Sequence, residues 1–282
     1  MPAWRRKVLV AGLTCVAILG AIYLVVCTLF VAYEPAFVFA QVPRHLTPQA
    51  AGLKGFGEVT VTTEDGVPLV GWWRPPEPGH GAIVFLTGTG VVLSDYGGLF
   101  ADLAGQGFGV LGIDYRGNGG SPGVPSEAGW RADARAAFDY VRAAAPQAKI
   151  AVFGESMGTG FAVGLAVERP ASGVLLNSAY ASVARLFEKN GMPLLRGVPF
   201  PASLLMKDPV DSVALIGRLS VPVLILHGTE DWAIPIGEAR RLYAAAHPPK
   251  ELIEVPGAGH VAVWFGPYRE RALQALAEWT RP

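Results

Sequence analysis

The sequence predicts an α/β domain built on a mostly parallel sheet with helices on both faces and a small cap, preceded by one N-terminal transmembrane helix. From Gly81 onward, short apolar runs alternate with glycine-rich turns and amphipathic stretches, the pattern of strands buried on both faces and joined by crossover helices. One intervening stretch, 179–220, carries too many glycines and prolines for a single crossover helix, which makes it the cap. At the N-terminus, residues 8–33 contain no charge and consist mainly of Val, Leu, Ile and Ala.

That first run is long enough for a membrane span, since about 20 apolar residues at about 1.5 Å each cross the hydrocarbon core. Trp4, Arg5, Arg6 and Lys7 precede it, and the first basic residue beyond it is Arg44. The positive-inside rule therefore predicts a single-pass membrane protein with a cytoplasmic N-terminus and an extracytoplasmic domain. A signal peptide cleaved before Gln41 is the competing reading, but its apolar core should be only about 7–15 residues long. Residues 1–33 are thus read as N-terminus and anchor. Residues 34–55 are read as a linker, because Pro35, Pro43 and Pro48 interrupt any regular element, and 56–282 as the domain, with its cap at about 179–220.

Within the domain, 58–63 and 69–74 read as an antiparallel hairpin across Glu64-Asp65-Gly66. The buried strands follow at Ala82–Leu86, Gly109–Ile113, 150–153, 173–176, 223–226 and 252–255. The clearest helix is 127–145, where Trp130, Ala134, Ala137, Phe138 and Val141 recur at helical spacing opposite Arg131, Arg135 and Asp139. Asp133 falls with the charged residues in that reading. In the cap, Phe187, Met192, Leu194, Phe200, Leu204 and Met206 supply more apolar surface than a loop leaves to solvent, which fits either an entrance for acyl chains or side chains that pack the cap onto the sheet.

Composition narrows the chemistry. Lys plus Arg and Asp plus Glu number 23 each, so no basic excess points to nucleic acid. Both cysteines, Cys15 and Cys27, lie in the apolar run, which excludes disulfides, cysteine catalysis and Cys-based zinc sites from the domain.

Gly154-Glu155-Ser156-Met157-Gly158 sits between a short apolar strand and a small-residue helix. In that context the pentapeptide reads as a nucleophile elbow, a tight turn that exposes the Ser156 hydroxyl and leaves the Met157 N–H where an oxyanion would form. A serine hydroxyl needs a base within hydrogen-bond reach. Of the five histidines, His45, His80 and His247 fall in loops, and His227 at a strand end reads as structural. His260 follows the last strand through Pro256-Gly257-Ala258-Gly259 and comes last in the chain, as the base of such an elbow does.

The acid belongs on a loop between these two, and Gly228-Thr229-Glu230-Asp231 supplies it. Asp231 is the choice and Glu230 its rival. Asp208 and Asp211, flanking Pro209, read as caps of a helix in or after the cap region. The second oxyanion donor falls to the backbone N–H of Thr89, in the turn Thr87-Gly88-Thr89-Gly90 after the first parallel strand. Asp114 and Arg116 read as members of a loop-bracing network.

Taken together, Gly112-Ile-Asp-Tyr-Arg-Gly-Asn-Gly119, Gly154-Glu-Ser-Met-Gly158, His227-Gly-Thr-Glu-Asp231 and Gly257-Ala-Gly-His260 resemble the α/β-hydrolase superfamily, especially its membrane-anchored serine hydrolases. The resemblance spans about Phe56 to the C-terminus. It implies the α/β-hydrolase fold and hydrolysis of esters, thioesters or amides of small acyl or lipid-like substrates, with no metal or organic cofactor. Relatives usually carry His-Gly after the first parallel strand, where this chain has Thr87-Gly88. Two alternatives stay open at this point: a serine peptidase or amidase, and an inactive hydrolase fold used as a binding module.

Overall fold

The computed structural model describes residues 2–190, 200–260, 264, 266 and 268–281. In chain order the elements are α1 (Ala3–Val38), β1 (Gly57–Thr62), β2 (Pro68–Arg74), β3 (Ala82–Leu86), α2 (Gly97–Gly105), β4 (Gly109–Ile113), α3 (Glu127–Ala144) and β5 (Ile150–Glu155). They continue with α4 (Gly158–Glu168), β6 (Val174–Asn177), α5 (Val183–Asn190), α6 (Ala202–Leu205), α7 (Val213–Ile216), β7 (Val223–Gly228), α8 (Ile236–Ala245), β8 (Lys250–Val255) and α9 (Tyr268–Thr280). The eight strands form one sheet in the order β1-β2-β4-β3-β5-β6-β7-β8. The β1–β2 and β2–β4 pairs are antiparallel, and all later pairs are parallel.

The central strands are apolar throughout because both faces are covered, and alternate residues serve opposite layers. On β3, Val84 and Leu86 join the core under α3 and α4, whereas Ile83 and Phe85 join the core under α2 and α9. β5 repeats the division, with Val152 on the first face and Ala151 and Phe153 on the second. Helix α3 starts where Ser126 accepts the Gly129 N–H at 3.0 Å, and Asp208 from the cap accepts the Glu127 N–H at 2.7 Å. Asp211 in turn accepts the Ala214 N–H at 3.2 Å in the first turn of α7. Asp211 therefore caps a helix of the cap region as expected, whereas Asp208 serves the start of α3, which precedes the cap in the chain, because the cap folds back over that helix. Asp133, placed with the charged face by pattern alone, is fully buried.

Helix α1 is long and apolar enough to cross a membrane by length and composition. It does not end at Tyr33. It runs through Pro35 to Val38, and Phe39 donates its N–H to the Pro35 carbonyl at 2.8 Å. Proline lacks one donor, and packing of the last turns outweighs that loss. Cys27, Phe30, Glu34 and Val38, spaced as one helical face, are all buried. Phe30 meets Phe187 and Phe200 of the cap edge-on, with ring centroids 5.0 and 4.6 Å apart.

The stretch expected to be a loose linker is therefore attached to the domain along its first half. Glu34 accepts the N–H groups of Lys207 and Asp208 at 2.9 and 2.8 Å. Phe39 is fully buried against Trp130, at 4.8 Å between centroids. In the cap, Phe200 and Met206 are buried and Leu204 is 84% exposed, while Met192 and Leu194 lie outside the described residues.

Candidate active site

Strand β5 ends at Glu155, and the chain turns sharply into α4. Ser156 occupies the left-handed region at φ 50°, a strained conformation for a residue with a side chain. The flanking glycines make the turn sterically possible. A Cβ on Gly158 would strike the Leu86 and Thr87 carbonyls, and one on Gly154 would meet the backbone of Gly158. The turn is held by the Ser156 N–H donating to Asn177 at 2.9 Å and by Thr159 returning its N–H and hydroxyl to the Ser156 carbonyl at 3.0 and 2.7 Å.

The fold brings Ser156, His260 and Asp231 together although they are far apart in sequence. His260 Nε2 lies 3.0 Å from Ser156 Oγ, and its Nδ1 lies 2.8 Å from Asp231 Oδ2. The other oxygen of Asp231 accepts the Ala233 and Ile234 N–H groups at 2.9 and 2.8 Å. Burial would raise the Asp231 pKa, but the hydrogen bonds from His260 and Ile234 outweigh it and hold the carboxyl below its usual range. Asp231 is thus ionised at neutral pH, so His260 carries its proton on Nδ1 and leaves Nε2 free to accept from the serine.

The loops bearing the acid and the histidine are tied to each other. Thr229 donates its N–H to Val255, Glu230 donates to Ala258, both at 3.0 Å, and Gly257 donates to the Thr229 hydroxyl at 2.9 Å. Glu230 contributes its backbone to this tie, and its side chain is exposed to solvent. His227 is fully buried and donates from Nε2 to the Ile234 carbonyl at 2.8 Å, while lying 3.4 Å from Asp231 Oδ2. Burial pushes the His227 pKa down, so the ring is a neutral brace beneath the acid loop. Trp232, 82% exposed, stands with its ring 6.2 Å from that of His260.

The turn after β3 lies against the elbow, since a Cβ on Gly88 would come within 3.3 Å of Ser156 Cβ. Gly88 donates to the Tyr96 hydroxyl at 3.2 Å and Gly90 to the Ala40 carbonyl at 3.1 Å. The N–H groups of Thr89 and Met157 have no hydrogen-bond partner among the described residues. Tyr96 also interacts with Glu155, which accepts from Asn177 Nδ2 at 3.0 Å. Burial raises the Glu155 pKa against the pull of both partners.

Asp114 and Arg116 brace loops, as expected. Arg116 spans Asp133 at 2.8 Å and Asp65 at 2.7 Å, and Asp114 accepts the Leu93 N–H at 2.9 Å. Sequence reasoning missed Tyr96, Glu155, Asn177 and Ala40 as neighbours of the site. The position of Glu155 inside the elbow pentapeptide was the one local signal.

Residues 77–205 match the family described as serine aminopeptidase, S33, and residues 209–267 match the alpha/beta hydrolase fold family. An uncharacterized protein of Mycobacterium tuberculosis, Rv2307c, is 39% identical over 218 residues, which cover 76% of this chain and 75% of that protein. The chain belongs to the α/β-hydrolase superfamily. Another superfamily relative, the uncharacterized protein YfhR of Escherichia coli K12, is 31% identical over 240 residues, covering 79% of this chain and 81% of YfhR. The lysophosphatidylserine lipase ABHD12 of Macaca fascicularis is 28% identical over 225 residues, 69% of this chain and 55% of that one. Among solved α/β-hydrolase folds, the Pyrococcus furiosus esterase PF2001 superposes with a TM-score of 0.69 at 22% identity, covering 86% of this chain and 96% of the esterase.

Proposed function

We propose that this α/β-hydrolase is a membrane-anchored serine hydrolase that cleaves carboxylic esters or thioesters of acyl or lipid-like substrates through an acyl-enzyme intermediate. The observation that carries the reading is the unbroken line from Ser156 Oγ through the His260 ring to Asp231, at 3.0 and 2.8 Å. Ser156 attacks the carbonyl carbon as its proton passes to His260 Nε2, and Asp231 stabilises the imidazolium that forms. The oxyanion is received by the N–H groups of Met157, at the positive end of α4, and Thr89. His260 then gives its proton to the departing alcohol or thiol. Water, activated by the same nitrogen, releases the carboxylic acid and restores the serine.

Helix α1 serves as the anchor. Arg5, Arg6 and Lys7 at its start favour a cytoplasmic N-terminus with the hydrolase domain on the far side. The lipase name of the ABHD12 relative and the apolar cap support acyl substrates. An amidase activity is a second reading, favoured by the match to the serine aminopeptidase family. The test is hydrolysis of matched p-nitrophenyl esters and p-nitroanilides by the full chain and by Ser156→Ala. Ester turnover that falls by several powers of ten in the mutant, with a much slower anilide reaction, is the expected result. Equal ester turnover in the two proteins would refute the reading.

A further inference from the structure

We propose that the segment following α1 is a positioning element of the oxyanion site, with Ala40 setting the loop that presents the Thr89 N–H. The proposal rests on the serine-hydrolase reading above and assigns part of its machinery to a stretch that looks like a tether in sequence.

Two hydrogen bonds join the segment to the loop. Ala40 donates its N–H to the Thr89 hydroxyl at 2.8 Å, and Gly90 donates its N–H back to the Ala40 carbonyl at 3.1 Å. Gly90 holds this geometry at φ 72°, a backbone conformation that favours glycine, and a Cβ there would only touch that of Ala40, at 3.7 Å. The segment is itself fixed on either side. Phe39 is fully buried in the ring cluster with Trp130 and Phe161, the latter on α4. Two residues beyond Ala40, Val42 donates to Asn118 Oδ1 at 2.8 Å and accepts the Gly119 N–H at 2.9 Å. The segment thus bridges the helix behind Ser156 and the loop after β4, with the oxyanion turn hung between them.

The consequence for the turn is selective. Gly88 spends its N–H on Tyr96 and Gly90 spends its own on Ala40, whereas the intervening Thr89 N–H has no partner among the described residues, in a turn whose Gly88 lies against Ser156. The Thr89 hydroxyl is what ties this residue to the anchor side of the protein. An oxyanion donor acts only if it is held in place before the reaction, and a displacement of about 1 Å can lower turnover by about 100-fold.

The test compares Thr89→Val with Thr89→Ser in the full chain reconstituted in nanodiscs, using a p-nitrophenyl ester and titrating active sites with a fluorophosphonate. Valine keeps the branched shape and removes the acceptor for the Ala40 N–H. We expect kcat per titrated site to fall by at least about 10-fold in Thr89→Val with KM changed less than about twofold, and Thr89→Ser to recover most of that loss. Thermal denaturation of both variants is measured alongside. Wild-type kcat in Thr89→Val overturns the proposal, as does a kcat loss that serine fails to rescue or that follows lost thermal stability alone. Failure of the underlying hydrolase reading would look different, because wild type itself would then show no ester turnover dependent on Ser156.

Discussion

Glu34 in the last turns of α1 accepts the backbone N–H of Asp208 in the cap at 2.8 Å, although the two are 174 positions apart. A second N–H, from Lys207, reaches the other oxygen at 2.9 Å. The side chain of Glu34 thus joins the apolar helix directly to the segment whose Asp208 caps α3. Replacing Glu34 with Ala leaves both donors without this acceptor; they are only part-buried, so each loss costs about 1 kcal/mol, the low end of the range for an unsatisfied group. Amide hydrogen exchange should quicken by at least about tenfold across residues 202–210 while the central strands keep their protection. Unchanged exchange there would mean the contact contributes nothing to cap position.

Asp231→Asn should be far more damaging than Glu230→Gln. Of these two carboxylates Asp231 is the one hydrogen-bonded to His260, and loss of its charge favours the wrong imidazole tautomer, lowering turnover by about 10⁴ where this has been done in a serine protease. Glu230 acts through its backbone N–H to Ala258, which glutamine retains. Steady-state kinetics of the two variants on one ester decide the matter, and the reverse order would contradict the assignment of the acid.

The Asp114 carboxyl is pushed up to about 7 by burial, against the pull of the Leu93 N–H. Its folded-state pKa therefore exceeds its unfolded value, so its contribution to stability is complete below about pH 4 and is lost as pH rises through about 7. Asp114→Asn keeps an oxygen for Leu93 and removes the titration. Thermal melts from pH 5 to 8.5 should show wild type losing stability relative to this variant, by an amount on the order of a few kcal/mol at the alkaline end. Parallel curves for the two proteins would contradict a buried, titrating Asp114.

The cap packs Phe187 and Phe200 against Phe30 of α1, with Met206 buried in the same core. If it admits acyl chains, each added methylene contributes up to about 0.8 kcal/mol, and kcat/KM should rise clearly over four added carbons before levelling. A p-nitrophenyl ester series from acetate upward, kept below micelle-forming concentrations, reads this out. A flat or steadily falling series removes the acyl entrance and leaves the serine mechanism intact.

The central sheet was legible because burial on both faces writes uninterrupted apolar runs into β3 through β7. Strand ends were less so. β5 continues to Glu155, where a charged residue after Gly154 looks like turn, because Asn177 and Tyr96 supply the partners that let a carboxyl enter the interior. β8 begins at Lys250 rather than at Leu252, since an edge strand tolerates polar side chains on its exposed side. The proximity of Ser156, Asp231 and His260 could be expected from their loops, but that of Ala40 could not. Its partners Thr89 and Gly90 lie some fifty positions away, a relation that no local periodicity carries, and three prolines made its neighbourhood look unstructured.

The central claim is that Ser156 is an activated nucleophile, and covalent labelling reads that state without assuming any natural substrate. The full chain is treated with a fluorophosphonate probe and the adduct located by peptide mass spectrometry. A single adduct on Ser156, absent from Ser156→Ala and strongly slowed in His260→Ala, is the predicted result. A well-folded wild-type chain that takes no label, or one labelled equally after Ser156→Ala, would contradict the account.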